Sequence, residues 1–148
     1  MVDQLDIALI HRVAELGKHP RRSVDFIVNG DSLFELVNAH KFDLCGRFSS
    51  DLNSERNKVS QSVFEAGAPS DKLPNRIMLF VCPECGDLGC GAITFTITQE
   101  NDSVVWSDFA YENSHDESMT NYNAYASVGP FSFSRTDYLD TISRAINA

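Results

Sequence analysis

Cys82, Cys85 and Cys90 fall within nine residues of the stretch VCPECGDLGCGAITFTI (residues 81–97), interleaved with Gly86, Gly89 and Gly91. Two thiols three positions apart around a proline, followed by glycine, have the local form of one zinc knuckle. The turn aims both sulfurs at one point, and glycine lets backbone amides face them. A complete ribbon needs a second such pair, which the chain lacks. Cys90 is placed to supply a third sulfur from a returning strand. Cys45, His40 and His115 are the candidates for a fourth ligand, none recommended by its spacing. Three other readings stand beside zinc: a redox pair, a Cys82–Cys90 disulfide across a hairpin neck, and small thiols that only pack in a tight turn. Against the redox reading, the glycines break any helix that would lower a thiol pKa. The glycine spacing is not that of a nucleotide loop, and Glu84 and Asp87 disfavour a phosphate there.

The second source of chemistry is charge. The net charge is −9, and residues 77–134 contain no Lys or Arg while carrying Glu84, Asp87, Glu100, Asp102, Asp108, Glu112, Asp116 and Glu117. A field of one sign repels nucleic acid and anionic membrane, and steers a basic partner toward it. Glu100, Asp102, Asp108, Glu112, Asp116 and Glu117 are therefore the candidate docking carboxylates, with Trp106, Tyr111, Tyr122 and Tyr125 as aromatic anchors. Asp108 and His115 are the nearest thing to an acid/base pair, but no nucleophile accompanies them. The four histidines sit on separate elements, so no catalytic residue is assigned.

These residues need elements to hold them. Leu5, Leu9, Val13 and Leu16 have helical spacing, acids in the first turn and Gly17 beyond, which predicts a helix over residues 3–16. Residues 23–28 alternate as a strand that stops at Asn29-Gly30, and Ser32 with Glu35 forms a capping box for a short helix through His40. Residues 42–48 read as extended. Residues 49–75 are polar, with Gly67, Pro69 and Pro74, and read as loop with a short strand at 62–66. NRIMLFVC, GAITFTITQE and SVVWSDFAYE form an antiparallel meander turning at Asn101-Asp102. FSFSR (131–135) adds a fourth strand. Ser134 is the expected cap of a last helix whose apolar face is Tyr138, Leu139, Ile142, Ala145 and Ile146.

The fold expected is a single α+β domain over residues 1–148, a mostly antiparallel sheet of four or more strands with N-terminal and C-terminal helices packed on it. At 148 residues the chain has enough length for one core without disulfides. The longest apolar run, IMLFVC, is too short to span a membrane, and the start lacks the pattern of an export signal. Cysteine usage fits a reduced, cytoplasmic protein.

VCPECGDLGCGAITFTI, VVWSDFAYEN and GPFSFSRTDY together resemble a group of small bacterial proteins that share a cysteine-glycine turn, a Val-Trp-Asp-Phe strand, a Tyr-Glu-Asn end and a Gly-Pro-Phe strand. The resemblance runs from about Phe26 to the C-terminal helix. Members carry a generic oxidoreductase label, but no dinucleotide or flavin fingerprint is present here. In size and charge, without a shared motif, the chain is also similar to immunity proteins that neutralise contact-delivered toxins. That likeness implies a non-catalytic acidic protein bound to a basic, nuclease-type toxin domain. The alternative is a zinc-binding or thiol-dependent protein built on the cysteine turn, zinc being the one cofactor that any motif suggests.

Overall fold

A computed structural model describes residues 2–12, 21–42, 44–49, 54–67, 76–82, 91–113 and 125–148. Its N-terminal segment is not the expected helix. Leu5–Arg12 is a strand, β1, paired antiparallel along its length with β2 (Arg21–Val28), Leu5 opposite Val28 and Arg12 opposite Arg21. The helical spacing of Leu5 and Leu9 competes with an alternation in Leu5, Ile7 and Leu9. Ile7 and Ile10 favour extended backbone once a partner strand exists, so the long-range ladder overrides local propensity.

Residues 23–28 are a strand as expected, with Val24, Phe26 and Val28 buried, but the strand is not half-buried: Ser23 and Asp25 on its other face are buried as well, covered by residues 44–49 and 32–34. It turns at Asn29-Gly30 into β3 (Asp31–Ser32), and the Ser32 side chain accepts from the Glu35 N–H to cap α1 (Leu33–Leu36). Asp25, buried in β2, accepts from the Ser32 hydroxyl and from the Phe34 N–H (3.0 Å). Burial pushes its carboxyl above the ordinary carboxylate range, against the pull of those hydrogen bonds.

A short 3-10 turn (Ala39–Phe42) leads into residues 44–49, which form a seam between two sheets. On one side the Gly46 N–H donates to the Ser23 hydroxyl (2.9 Å), and the Val24 N–H donates to the Phe48 carbonyl (2.9 Å). On the other, β4 (Cys45–Gly46) pairs with β5 (Ile77–Val81). A Cβ on Gly46 would overlap the Val24 carbonyl oxygen, so only glycine permits this approach.

The expected meander is present as a five-stranded antiparallel sheet in the order β4-β5-β6-β7-β8, with β6 (Ala92–Gln99), β7 (Ser103–Glu112) and β8 (Phe131–Ser134). The expected loop over residues 49–75 is in part a helix, α2 (Ser54–Ala66), with no strand at 62–66. Its inward stripe is Asn57, Ser60, Val63 and Phe64, all buried. Half of that stripe is polar, which hides it from a hydrophobic-period reading. The polar half is bonded: Asn57 Nδ2 donates to the Ser49 carbonyl (2.8 Å), and Arg47 Nε donates to Ser60 Oγ (2.8 Å). The C-terminal helix α3 (Arg135–Ile146) is as expected, with Tyr138, Ile142 and Ala145 buried, although Leu139 is exposed and Ser134 makes no side-chain cap bond.

The chain is thus α+β, two antiparallel sheets with helices, around an aromatic core centred on Trp106. Its ring lies within 6 Å, centroid to centroid, of Phe26 (β2), Phe64 (α2), Phe95 (β6), Phe133 (β8) and Tyr138 (α3). Trp106 Nε1 donates to the Tyr138 hydroxyl (3.3 Å), which donates to the Phe64 carbonyl (2.7 Å) in the last turn of α2. One hydroxyl so satisfies a buried indole and a helix-end carbonyl.

Replacing Tyr138 by Phe leaves both groups unsatisfied. It should cost about 2–3 kcal/mol in urea unfolding with the m-value unchanged. For Asp25 the raised folded pKa means the native state binds more protons than the unfolded chain between the ordinary 3.8 and the raised value. That contribution is full below 3.8 and is lost as pH climbs through the window. The stability of the wild type relative to Asp25→Asn should therefore fall as pH rises from acid toward neutral, measured by paired denaturant titrations.

Candidate functional site

The docking carboxylates and aromatics do not share one exposed face. Trp106 is fully buried, and Tyr111 and Tyr125 are buried too, so the three described anchors belong to the core. Tyr111 stacks on Phe42 with centroids 3.9 Å apart, and its hydroxyl accepts from Asn113 Nδ2 (3.2 Å). Burial, with Tyr111 nearby, raises the Tyr125 phenol above its ordinary value. Asp116, Glu117, Tyr122 and the candidate ligand His115 lie outside the described residues.

A bulge decides which face these side chains take. Thr94 pairs with Ala110 and Thr96 with Ser107, which leaves Phe95 opposite both Asp108 and Phe109. Asp108 takes the extra position at φ 57 and projects into solvent. A strict two-residue alternation would set Trp106 with Asp108 and oppose them to Phe109. The bulge shifts the phase, so that Trp106 and Phe109 both lie against Phe95.

Glu112 also leaves the docking set. Its side chain is 10% exposed and lies 3.3 Å from Arg76 Nε, itself 15% exposed. Thr94 Oγ1 donates to Glu112 (2.6 Å), and Arg76 also reaches the Thr94 and Asp108 carbonyls. Arg76 is the last base before the base-free stretch, and it folds back onto that stretch. Glu100 and Asp102 are exposed at the β6–β7 turn, where Arg135 holds their backbone carbonyls. Of the described candidates, Glu100, Asp102 and Asp108 remain in solvent.

The cysteines fare differently. Cys85 and Cys90 lie outside the described residues, and His40 is exposed on the 3-10 turn. Cys45 is opposite Val81, and Val81 is opposite Ala92, so three adjacent strands are in step at one end of the sheet. Cys82 leaves β5 one residue beyond Val81, and Gly91 enters β6 one residue before Ala92. Gly91 packs flat on the Tyr111 ring, where a side chain would collide with it. Cys45 is buried and Cys82 half-buried. Sequence spacing gives no hint of Cys45, 37 positions before Cys82, because its proximity comes from the β4–β5 register. Among the described residues alone, no group of three or more His, Cys, Asp or Glu side chains is arranged to hold a metal.

A cavity of about 250 Å³ beside the start of β1 is lined by Asp3, Asp137, Asp140 and Arg144. Arg144 is engaged by Asp6 (3.1 Å) and Asp140 (3.2 Å), and Asp3 accepts from Asn29 Nδ2 and the Ser132 N–H. These groups hold β1 to α3 and β8. Among the described residues, no helix is long and apolar enough to cross a membrane. Comparison of the chain with family models, curated proteins and solved structures finds no match.

Removing one member of the Arg76–Glu112 pair strands a buried charge. Arg76→Ala and Glu112→Ala should each destabilise by about 3 kcal/mol. The double variant should cost clearly less than the two together, a coupling read by a double-mutant cycle in chemical denaturation.

Proposed function

We propose that this chain is a zinc-binding protein in which Cys82, Cys85 and Cys90 of the glycine-rich turn take Cys45 as fourth ligand. Such a four-thiolate centre is closed and has no position left for a reacting water, so its work is to hold shape rather than to turn over a substrate. One observation carries the reading: the β4–β5–β6 register brings Cys45, Cys82 and the Gly91 end of the turn to the same edge of three neighbouring strands. Ladder spacing puts the Cys45 and Cys82 backbones about 6 Å apart. Cys45 shares a sheet face with Val81, so the proposed centre requires the chain to rotate the Cys82 side chain out of strand alternation where it leaves β5. The sequence supplies the remainder, since Cys85 follows Cys82 by three residues and Cys90 is bonded to Gly91.

The chemistry supports the same ion. Four sulfurs suit zinc, whose thiolate bonds neutralise charge that a buried cysteine such as Cys45 would otherwise avoid. Reduced thiols suit a reducing compartment, consistent with a cytoplasmic protein. The docking reading, an acidic partner for a basic toxin domain, retains Glu100, Asp102 and Asp108 at the surface. Its described aromatic anchors are in the core, and no observation favours it over the metal.

Protein purified without chelator or histidine tag should contain about one zinc per chain by elemental analysis. Cys45→Ser should lower that content severalfold and reduce thermal stability. A metal content below about a tenth of an equivalent in the unmodified protein overturns the proposal, because structural sites bind tightly.

A further inference from the structure

The outer edge of β1 is built to pair with another strand. The Asn29 N–H donates to the Gln4 carbonyl at 2.9 Å, which makes Gln4 and Asn29 a hydrogen-bonded pair. Alternation along an antiparallel ladder then turns the backbone groups of Asp6, Ala8 and Ile10 toward β2 and those of Leu5, Ile7, Leu9 and His11 outward. The start of this edge is covered. The Asp3 N–H donates to the Ser132 carbonyl (2.7 Å), Thr141 Oγ1 reaches the Leu5 carbonyl (3.4 Å), and the Ile7 N–H donates to the Asp6 carboxylate (2.8 Å). Beyond that point the Ile7 carbonyl and both backbone groups of Leu9 and His11 have no partner among the described residues. Leu9 is 46% exposed at the centre of this open run. The run has neither the lysine nor the proline that usually guards an edge.

We infer that β1 pairs antiparallel with β1 of a second copy of this chain about a two-fold axis at Leu9. The occupant is chosen by charge. Asp3 precedes the strand and Asp6 lies near its start, beside Arg144, Asp137 and Asp140, an end that stays net negative although Arg144 pairs with Asp6; the strand ends with His11 and Arg12. An antiparallel copy lays each acidic end along the basic end of the other, whereas a parallel one would set like against like. With the axis at Leu9, Leu9 faces Leu9, Ile7 faces His11, and Asp6 takes the register position of Arg12. That register pairs Leu9 with Leu9 through both backbone groups, brings each His11 N–H to the other copy's Ile7 carbonyl while the Ile7 N–H stays on Asp6, and buries the exposed leucines against each other. It joins two three-stranded sheets into one of six strands, the isologous contact of a closed dimer.

Sedimentation velocity on the wild type, Leu9→Pro and Leu9→Lys tests this. The Leu9 N–H points away from β2, so proline removes the central intermolecular donor and leaves the β1–β2 ladder intact. The wild type should be a dimer. Both variants should raise the dissociation constant about a hundredfold or more while keeping the far-UV circular dichroism of the parent. A wild type that stays monomeric from micromolar to millimolar concentration overturns the inference, even if it captures a foreign strand. So do folded variants that remain dimers. If Leu9→Pro fails to fold, Leu9→Lys decides alone.

Discussion

The close approach of Gly46 to the Val24 backbone is the contact on which the rest of the molecule turns. Residues 44–49 donate to and accept from β2 on one side and pair with β5 on the other, so they tie the two sheets together. The Arg47 N–H donates to the Leu79 carbonyl (3.2 Å), and its side chain reaches both Ser60 of α2 and the Met78 carbonyl. Any side chain at position 46 would push β4 off β2. The same contact therefore fixes β4, in which Cys45, a candidate ligand far from the cysteine-rich stretch in sequence, stands opposite Val81.

The second half of the chain was legible because its strands are bounded by turn residues and made of β-branched and aromatic side chains. The meander, β8 and α3 follow from those local signals. The first half misleads for identifiable reasons. Leu5, Ile7 and Leu9 satisfy two periods at once, and β2, a partner that local pattern cannot reveal, selects the strand. In α2 the buried face is written with Asn57 and Ser60, whose partners Ser49 and Arg47 belong to the seam. A hydrophobic period cannot register a stripe that is held by hydrogen bonds.

The candidate surface was legible only as a list of residue types. Linear charge segregation survives folding poorly, because the bases flanking the acidic stretch return to it. Arg76, immediately before it, pairs with Glu112, and Arg135, immediately after it, binds the backbone of Glu100. Trp106 was the obvious exposed anchor by composition and is instead the centre of the core, contacted by rings from five elements. One residue of bulge at Asp108 moves Phe109 to the same side, a change that an alternating pattern cannot anticipate.

At the cysteine end of the sheet the register brings the backbones of Cys45 and Cys82 to neighbouring strands. If the seam carries Cys45 to the turn as a ligand, the metal it helps to hold has an all-sulfur environment. X-ray absorption spectroscopy of the zinc-loaded protein tests that most directly. The account predicts four sulfur neighbours at about 2.3 Å in the wild type, falling to three in Cys45→Ser. A sphere of nitrogen and oxygen donors, or a four-sulfur sphere unchanged by the loss of Cys45, would contradict it.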